Sequence, residues 1–344
     1  MNAIDLRSDT VTLPSPEMKQ AMMDAPLGDD VLGDDPSVIR LQEMAAEITG
    51  KEAALFVPSG SQGNLVALMT HCPRGREVIL GESAHILFFE GGSAWTVASL
   101  GLRPVRVDSK GRLDLAEVAR KIRPDDDHFP RTGLICVENT HNQAGGTVQN
   151  EEDLAAVRIL ADKHGLPVHM DGARIFNAAV KLGVPVASLA AYADSITFCL
   201  SKGLGAPVGS VLCGTREFVK EAHRNRKILG GGMRQAGILA AAGIYALENM
   251  VDRLSEDHAN AVHAAEGLAS IPGVTLSPPP ETNLVFFTVD GWDAPVLERK
   301  LDDAGVRCFH EGGGRIRWVT HYGIEREDIN EALGRTRAVL TNSK

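Results

Sequence analysis

The 344-residue chain has no apolar run approaching the roughly 20 residues of a membrane-spanning helix, so no membrane partner is expected. It also lacks an excess of positive charge. Its 35 Lys and Arg stand against 45 Asp and Glu, giving a formal net charge of −10 and a pI near 5.6. A nucleic-acid binder would carry a basic patch or stripe, so that class of partner is set aside. Cysteine is scarce: Cys72, Cys136, Cys199, Cys213 and Cys308 are odd in number, scattered and never in a CxxC pair. Buried free thiols in a reducing compartment are the expectation. The opening MNAIDLRSDTVTLPSPEMKQ shows neither the apolar core nor the Arg/Ser-rich, acid-poor character of a targeting segment, so a cytoplasmic location is expected. No internal repeat, low-complexity tract or metal-ligand motif stands out. The missing GxGxxG after the first strand removes a nicotinamide-dependent dehydrogenase.

What is present reads as a globular protein: 44% hydrophobic and 23% charged residues, enough for a full core in one large domain and a smaller one. AALFVPSGSQGNLVALMTH reads as a strand, a tight turn and a helix. EVILG (77–81), GLICVEN (133–139), LPVHMDGAR (166–174), SITFCLS (195–201) and GSVLCG (209–214) are further strands, separated by amphipathic stretches such as 154–165. This alternation predicts an α/β fold with a mostly parallel sheet covered by helices on both faces. A long helical region follows over about 215–270, in which 234–250 is apolar nearly all round, as in a buried helix or an oligomer contact. NLVFFTV, a helix near 293–304, VRCFH, RIRWVTH and a closing helix from about 325 predict a small α+β domain. The Pro-rich stretch at 277–280 marks the boundary, placing the large domain at 1–275 and the small one at 276–344.

In doubly wound sheets the loops at the carboxyl ends of the strands build the ligand site. After LFVP come Gly60, Ser61 and Gly63, whose amides and following helix start favour a phosphate, although Ser-Gly turns are common without one. After LPVHM comes Asp171, a strand-end carboxylate that needs a partner. Arg174 could supply it in a purely structural ion pair. The alternative is a carboxylate that keeps a pyridine nitrogen protonated, as an electron-sink cofactor requires. After SITFCLS comes Lys202 among glycines. It reads either as a surface lysine or as a partly desolvated amine, with lowered pKa, that forms a Schiff base with a carbonyl. Phosphate turn, Asp and Lys in that order are the parts of a pyridoxal 5'-phosphate (PLP) enzyme.

LRSDTVTLPSPEM, GDDVLGDDPS, EAALFVPSGSQGN, HFPRTGLICVENTHN, HMDGARIFNAA, FCLSKGLGAPVGS and GGGMRQAGILAAA together resemble the low-specificity L-threonine aldolases. These belong to the aspartate-aminotransferase-like, fold type I group of PLP enzymes. The resemblance implies a seven-stranded-type sheet and cleavage of L-threonine, L-allo-threonine and related β-hydroxy-α-amino acids to glycine and an aldehyde. By the family pattern Lys202 holds the cofactor, Asp171 pairs with its ring nitrogen, and Gly60 and Ser61 bind its phosphate. Arg234 is the phosphate-side arginine, from this or a neighbouring subunit, and His85 stacks on the ring. His128 lies beside the substrate β-hydroxyl, Arg174 lies near the cofactor ring edge and the substrate carboxylate, and Ser8 and Arg317 help hold that carboxylate. Arg315 lies on the same strand face, and Arg317 is preferred only from its place before WVTH. The base is His128 or His85, directly or through a water, with Lys202 a third candidate. A homotetramer with sites at a dimer interface is expected. Leu32 departs from the pattern, which has a tyrosine there. A β-eliminating lyase, a serine hydroxymethyltransferase-like enzyme and a non-catalytic PLP-binding protein remain as alternatives.

Overall fold

The computed structural model describes residues 3–342. Seven strands form the central sheet, in the spatial order Ala53–Val57, Ser210–Gly214, Ser195–Cys199, Val168–Asp171, Thr132–Glu138, Glu77–Gly81 and Gly101–Val105. Six run in the same direction; Ser210–Gly214 runs against both of its neighbours. The reason lies in the connection. Ten residues join Cys199 to Ser210, too few for the crossover that two parallel strands need, so the chain turns back on itself. Lys202 sits in that reversal. The Leu200 amide donates to the Gly209 carbonyl across it (3.0 Å), and the Gly205 amide to the Lys202 carbonyl (2.9 Å).

The interior strands are buried along their whole length, which explains their near-continuous apolar sequences. Gly101–Val105 is the strand that periodicity does not reveal. It lies on the sheet edge with every residue before Val105 exposed or half-exposed and contains Pro104, which an edge strand tolerates because one side needs no amide donor. Helices cover both faces. Their starts are capped as the sequence allows: Ser59 on Gly60–His71, Asp35 on Pro36–Thr49, and Asn150 with Asp153 in a reciprocal capping box on Glu151–Lys163.

A second hydrophobic core belongs to a four-stranded antiparallel sheet of Phe309–Glu311, Arg315–Val319, Leu284–Val289 and Val274–Leu276, in that order. It draws on residues on both sides of the expected 275/276 boundary. Ala261, Ala264, Ala265 and Leu268 of the helix Leu254–Ala269 enter it, as do Ile4 and Leu6, because the strand Ile4–Asp5 pairs in parallel with Val306–Arg307. The segment from Ile4 to Leu6 thus packs into the second core, and the chain then returns, carrying Ser8 and Asp9 between the two cores. No helix among the described residues is long and apolar enough to cross a membrane.

Candidate active site

Asp171 ends its strand at 3% exposure, level with Glu138 on the next strand. Its Oδ1 accepts from the Ala173 amide (3.1 Å) and its Oδ2 from Asn64 Nδ2 (2.9 Å). The expected alternative of an ion pair with Arg174 is not formed. Arg174 instead grips Asp9 through Nε and Nη2, both at 2.7 Å, with both residues buried. Burial opposes the Asp9 carboxylate, but the Arg174 charge and hydrogen bonds, the Lys202 charge and Asn283 outweigh it. They hold its pKa far below the ordinary carboxylate range. Lys202 is half-buried on the neighbouring strand end, and its charge also reaches His85.

His85 starts the short helix His85–Phe88, fixed by its amide donating to Glu138 Oε2 (2.8 Å). Its Nδ1 meets Glu90 Oε1 at 2.9 Å. Burial acts against the imidazolium, yet the Glu90 hydrogen bond and the Asp171 and Glu90 charges win, and the His85 pKa is raised. Burial, helped by Asp171, raises that of Glu90 against the pull of its hydrogen bonds. Donor atoms of His85, Glu90 and Asp171 lie within 4.8 Å of one another, a spacing a metal could use. Here His85 Nδ1 and Glu90 Oε1 are engaged with each other, and Asn64 Nδ2 bridges Glu90 (2.8 Å) and Asp171.

Gly60 and Ser61 form the first turn of the helix Gly60–His71, where free amides and the helix dipole favour an anion. Gly60 is required by space: a Cβ there would lie 2.8 Å from Cys199 Sγ, at the end of the strand that leads to Lys202. Ser8 is buried beside Asp9. Arg317 is buried too. Its Nη1 pairs with Glu311 Oε1 (2.8 Å), its Nη2 donates to the Arg7 carbonyl (3.2 Å), and its Nε has no partner. Burial lowers its pKa, and the Arg174 and Asp9 charges both reach it. Arg315 points its guanidinium elsewhere, to the Gln143 carbonyl and Oε1 (3.2 and 3.1 Å) and over the Phe286 ring.

Three expected residues do not join this cluster within the chain. His128 has 88% of its side chain exposed and bonds to Asp126 (2.8 Å). It precedes the amino end of Thr132–Glu138, whose carboxyl end carries the site, about 20 Å away along a seven-residue strand. The Arg234 side chain is 61% exposed and pairs with Asp29 (3.0 Å). Leu32 is 74% exposed on the adjoining loop.

The sequence reading missed Asn64, Glu90 and Asp9, and also His169 and Ser195, which meet Asn64 through His169 Nε2 (3.1 Å to Oδ1) and Nδ1 (2.8 Å to Ser195 Oγ). His169 carried a usable signal, since an imidazole inside the apolar strand Val168–Asp171 must have polar partners.

The family model described as beta-eliminating lyase matches residues 5–291. The chain belongs to the beta-eliminating lyase family. It is 49% identical to the low specificity L-threonine aldolase of Escherichia coli strain K12, over 98% of this chain and 99% of the relative. It is 44% identical to the low-specificity L-threonine aldolase 1 of Arabidopsis thaliana, over 97% and 95%. Among solved structures, the Leishmania major threonine aldolase superposes with a TM-score of 0.83 over 97% of this chain and 99% of that one, at 20% identity. That likeness is one of fold: the lyase-family architecture is the mostly parallel α/β sheet expected from the sequence.

Proposed function

We propose that the chain is a PLP-dependent aldehyde-lyase that cleaves L-threonine, L-allo-threonine and related β-hydroxy-α-amino acids to glycine and an aldehyde. One observation carries the reading. A half-buried lysine and a buried, amide-supported carboxylate stand at adjacent strand ends, beside a helix start and a buried arginine with an unpartnered nitrogen. The donor set fits PLP: Lys202 for its aldehyde, Asp171 for its ring nitrogen, Gly60 and Ser61 for its phosphate, and His85 for its ring. Bound PLP supplies an electron sink for breaking a bond at the amino acid Cα.

The protein's own residues select which bond breaks. Arg317, with Nε free, and Ser8 bind the substrate carboxylate and so orient the Cα substituents. Arg174, committed to Asp9 by two hydrogen bonds, gives that pocket its positive field. Asp171, held by the Ala173 amide and Asn64 Nδ2, would accept from the ring nitrogen. His85 has Nδ1 on Glu90, which leaves Nε2 to take the β-hydroxyl proton directly or through a water. Lys202, half-buried with its charge reaching Asp9 and His85, would hold the cofactor aldehyde and is placed to move a proton at the substrate Cα.

His128 and Arg234 reach a site only if it is completed by a neighbouring subunit, in the homotetramer and cytoplasmic setting expected for this enzyme. The exposed apolar side chains of Leu13, Met23, Leu27, Leu32 and Ile238 support a surface that another copy covers. The test is to add PLP to purified protein, record its absorption, then assay glycine and acetaldehyde from each threonine diastereomer. A Lys202-dependent band with both products is expected. A band with pyruvate or no aldehyde would transfer the site to β-elimination or another PLP reaction, and no band would overturn the assignment.

A further inference from the structure

Asn64 joins two carboxylates to a buried chain of neutral groups. Its Nδ2 donates to Glu90 Oε1 (2.8 Å) and Asp171 Oδ2 (2.9 Å), and ionised carboxylates can only accept. The amide orientation is therefore set, and Oδ1 faces His169 Nε2 at 3.1 Å. Oδ1 carries no proton, so His169 Nε2 must donate. Burial pushes the His169 pKa down to about 3, so the ring is neutral and its Nδ1 is an acceptor. The Ser195 hydroxyl, 2.8 Å away, donates to that nitrogen and in turn accepts from His71 Nε2 at 2.7 Å. His71 is also neutral, its pKa pushed down to about 4 by burial, and its ring packs on Phe218 with centroids 4.5 Å apart. Every proton in the series His71, Ser195, His169, Asn64 points towards the two carboxylates.

We propose that Asn64 is a positioning residue, held in one orientation by His169, Ser195 and His71, that fixes Asp171 and Glu90 for the cofactor nitrogen and for His85. The inference rests on the PLP reading above for its consequence, though not for its geometry. If His169 carried its proton on Nδ1, its Nε2 would face Asn64 Oδ1 with no hydrogen between them. Turning the amide over would relieve that contact and set Oδ1 against two carboxylates. A buried acceptor without a donor is costly in either arrangement. With Glu90 and Asp171 both accepting, this proton pattern satisfies every group of the relay, and it holds Asp171 Oδ2 through Asn64 Nδ2.

Two measurements test this. In the ¹⁵N spectrum of the full-length protein without cofactor, His169 and His71 are expected protonated on Nε2 and bare on Nδ1. A proton on His169 Nδ1 would overturn the relay. PLP affinity, read by absorbance titration, is expected to weaken about tenfold to a hundredfold in Asn64→Ala and His169→Phe. It should recover most of that loss in His169→Gln, whose side-chain amide can donate to Asn64 Oδ1. Wild-type affinity in His169→Phe, or no recovery in a folded His169→Gln, would also overturn it. Failure of the unaltered protein to bind PLP would strike the cofactor reading instead, and the tautomer measurement would still decide the relay.

Discussion

Arg315 and Arg317 differ by two positions on one strand face, and the packing around them separates their roles. Arg317 lies within reach of the Arg174 and Asp9 charges and keeps Nε unpartnered, whereas Arg315 is engaged with Gln143 and Phe286. Replacing Arg317 by Leu should raise KM for threonine by at least tenfold, because a planar guanidinium binds a carboxylate through two hydrogen bonds. Arg315→Leu should change KM much less. Steady-state kinetics of the two variants check this, and equal effects would remove Arg317 from the carboxylate role. Leu32 offers a second residue-scale test. Its side chain is exposed within the chain, where the assembly we propose would bring it to a neighbouring copy's site. Introducing the hydroxyl and ring of Leu32→Tyr should shift the ratio of threonine to allo-threonine turnover; an unchanged ratio would show that this position does not touch selectivity.

At the scale of elements, the site depends on where helices and strands begin and end. The helix Gly60–His71 starts against the end of the strand Ser195–Cys199, and Ser59 Oγ accepts from the Gln62 amide (3.2 Å) to hold that start. Gly60→Ala would drive a methyl group onto Cys199 Sγ, costing about 1–3 kcal/mol by overpacking. The shift should also displace the amides proposed for the phosphate. Thermal unfolding is expected to show a lower midpoint, and titration a weaker PLP affinity. A destabilised protein with unaltered affinity would take the phosphate away from this turn. The short return from Cys199 to Ser210 acts at the same scale. It reverses one strand and leaves Lys202 at the same end of the sheet as Asp171.

In the whole molecule, a polar seam lies between the two cores. Asn177 donates to His258 Nε2 (3.2 Å) and Asn283 Oδ1 (3.3 Å), and Asn283 Nδ2 donates to Asp9 Oδ2 (3.3 Å). The pocket proposed for the substrate carboxylate is therefore tied to both units. Burial, with a contribution from Lys181, pushes the His258 pKa down from 6.5 to about 4. Between those values the unfolded chain binds the proton and the folded one does not, so this group lowers stability as pH falls from 6.5 through 4. Gln at this position can accept from Asn177 and does not titrate. Relative to His258→Gln, the unaltered protein should lose up to about 3 kcal/mol across that window. Urea unfolding at pH 7 and pH 4.5 reads the difference; a pH-independent gap would mean that His258 keeps an ordinary pKa in the fold.

Much of this organisation is local in origin and legible from the chain. Apolar runs cut by Gly, Pro and Ser predict the strands, and the polar residues just past them, Asp171 and Lys202, predict the site edge. Gly101–Val105 escapes because an edge strand need not be apolar. Partner choice is a different matter, because it depends on elements far apart in sequence. Arg174 pairs with Asp9, 165 positions away, instead of with Asp171, three away. Asn64 meets Asp171 across 107 positions and His169 across 105. His128 sits close to strand residues in sequence but at the opposite end of the sheet. Periodicity and turn chemistry determined which side chains stand at strand ends. Only the packed arrangement of strands, helices and the crossing amino-terminal segment decided which of them touch, since a hydrogen bond requires its two groups within about 3 Å.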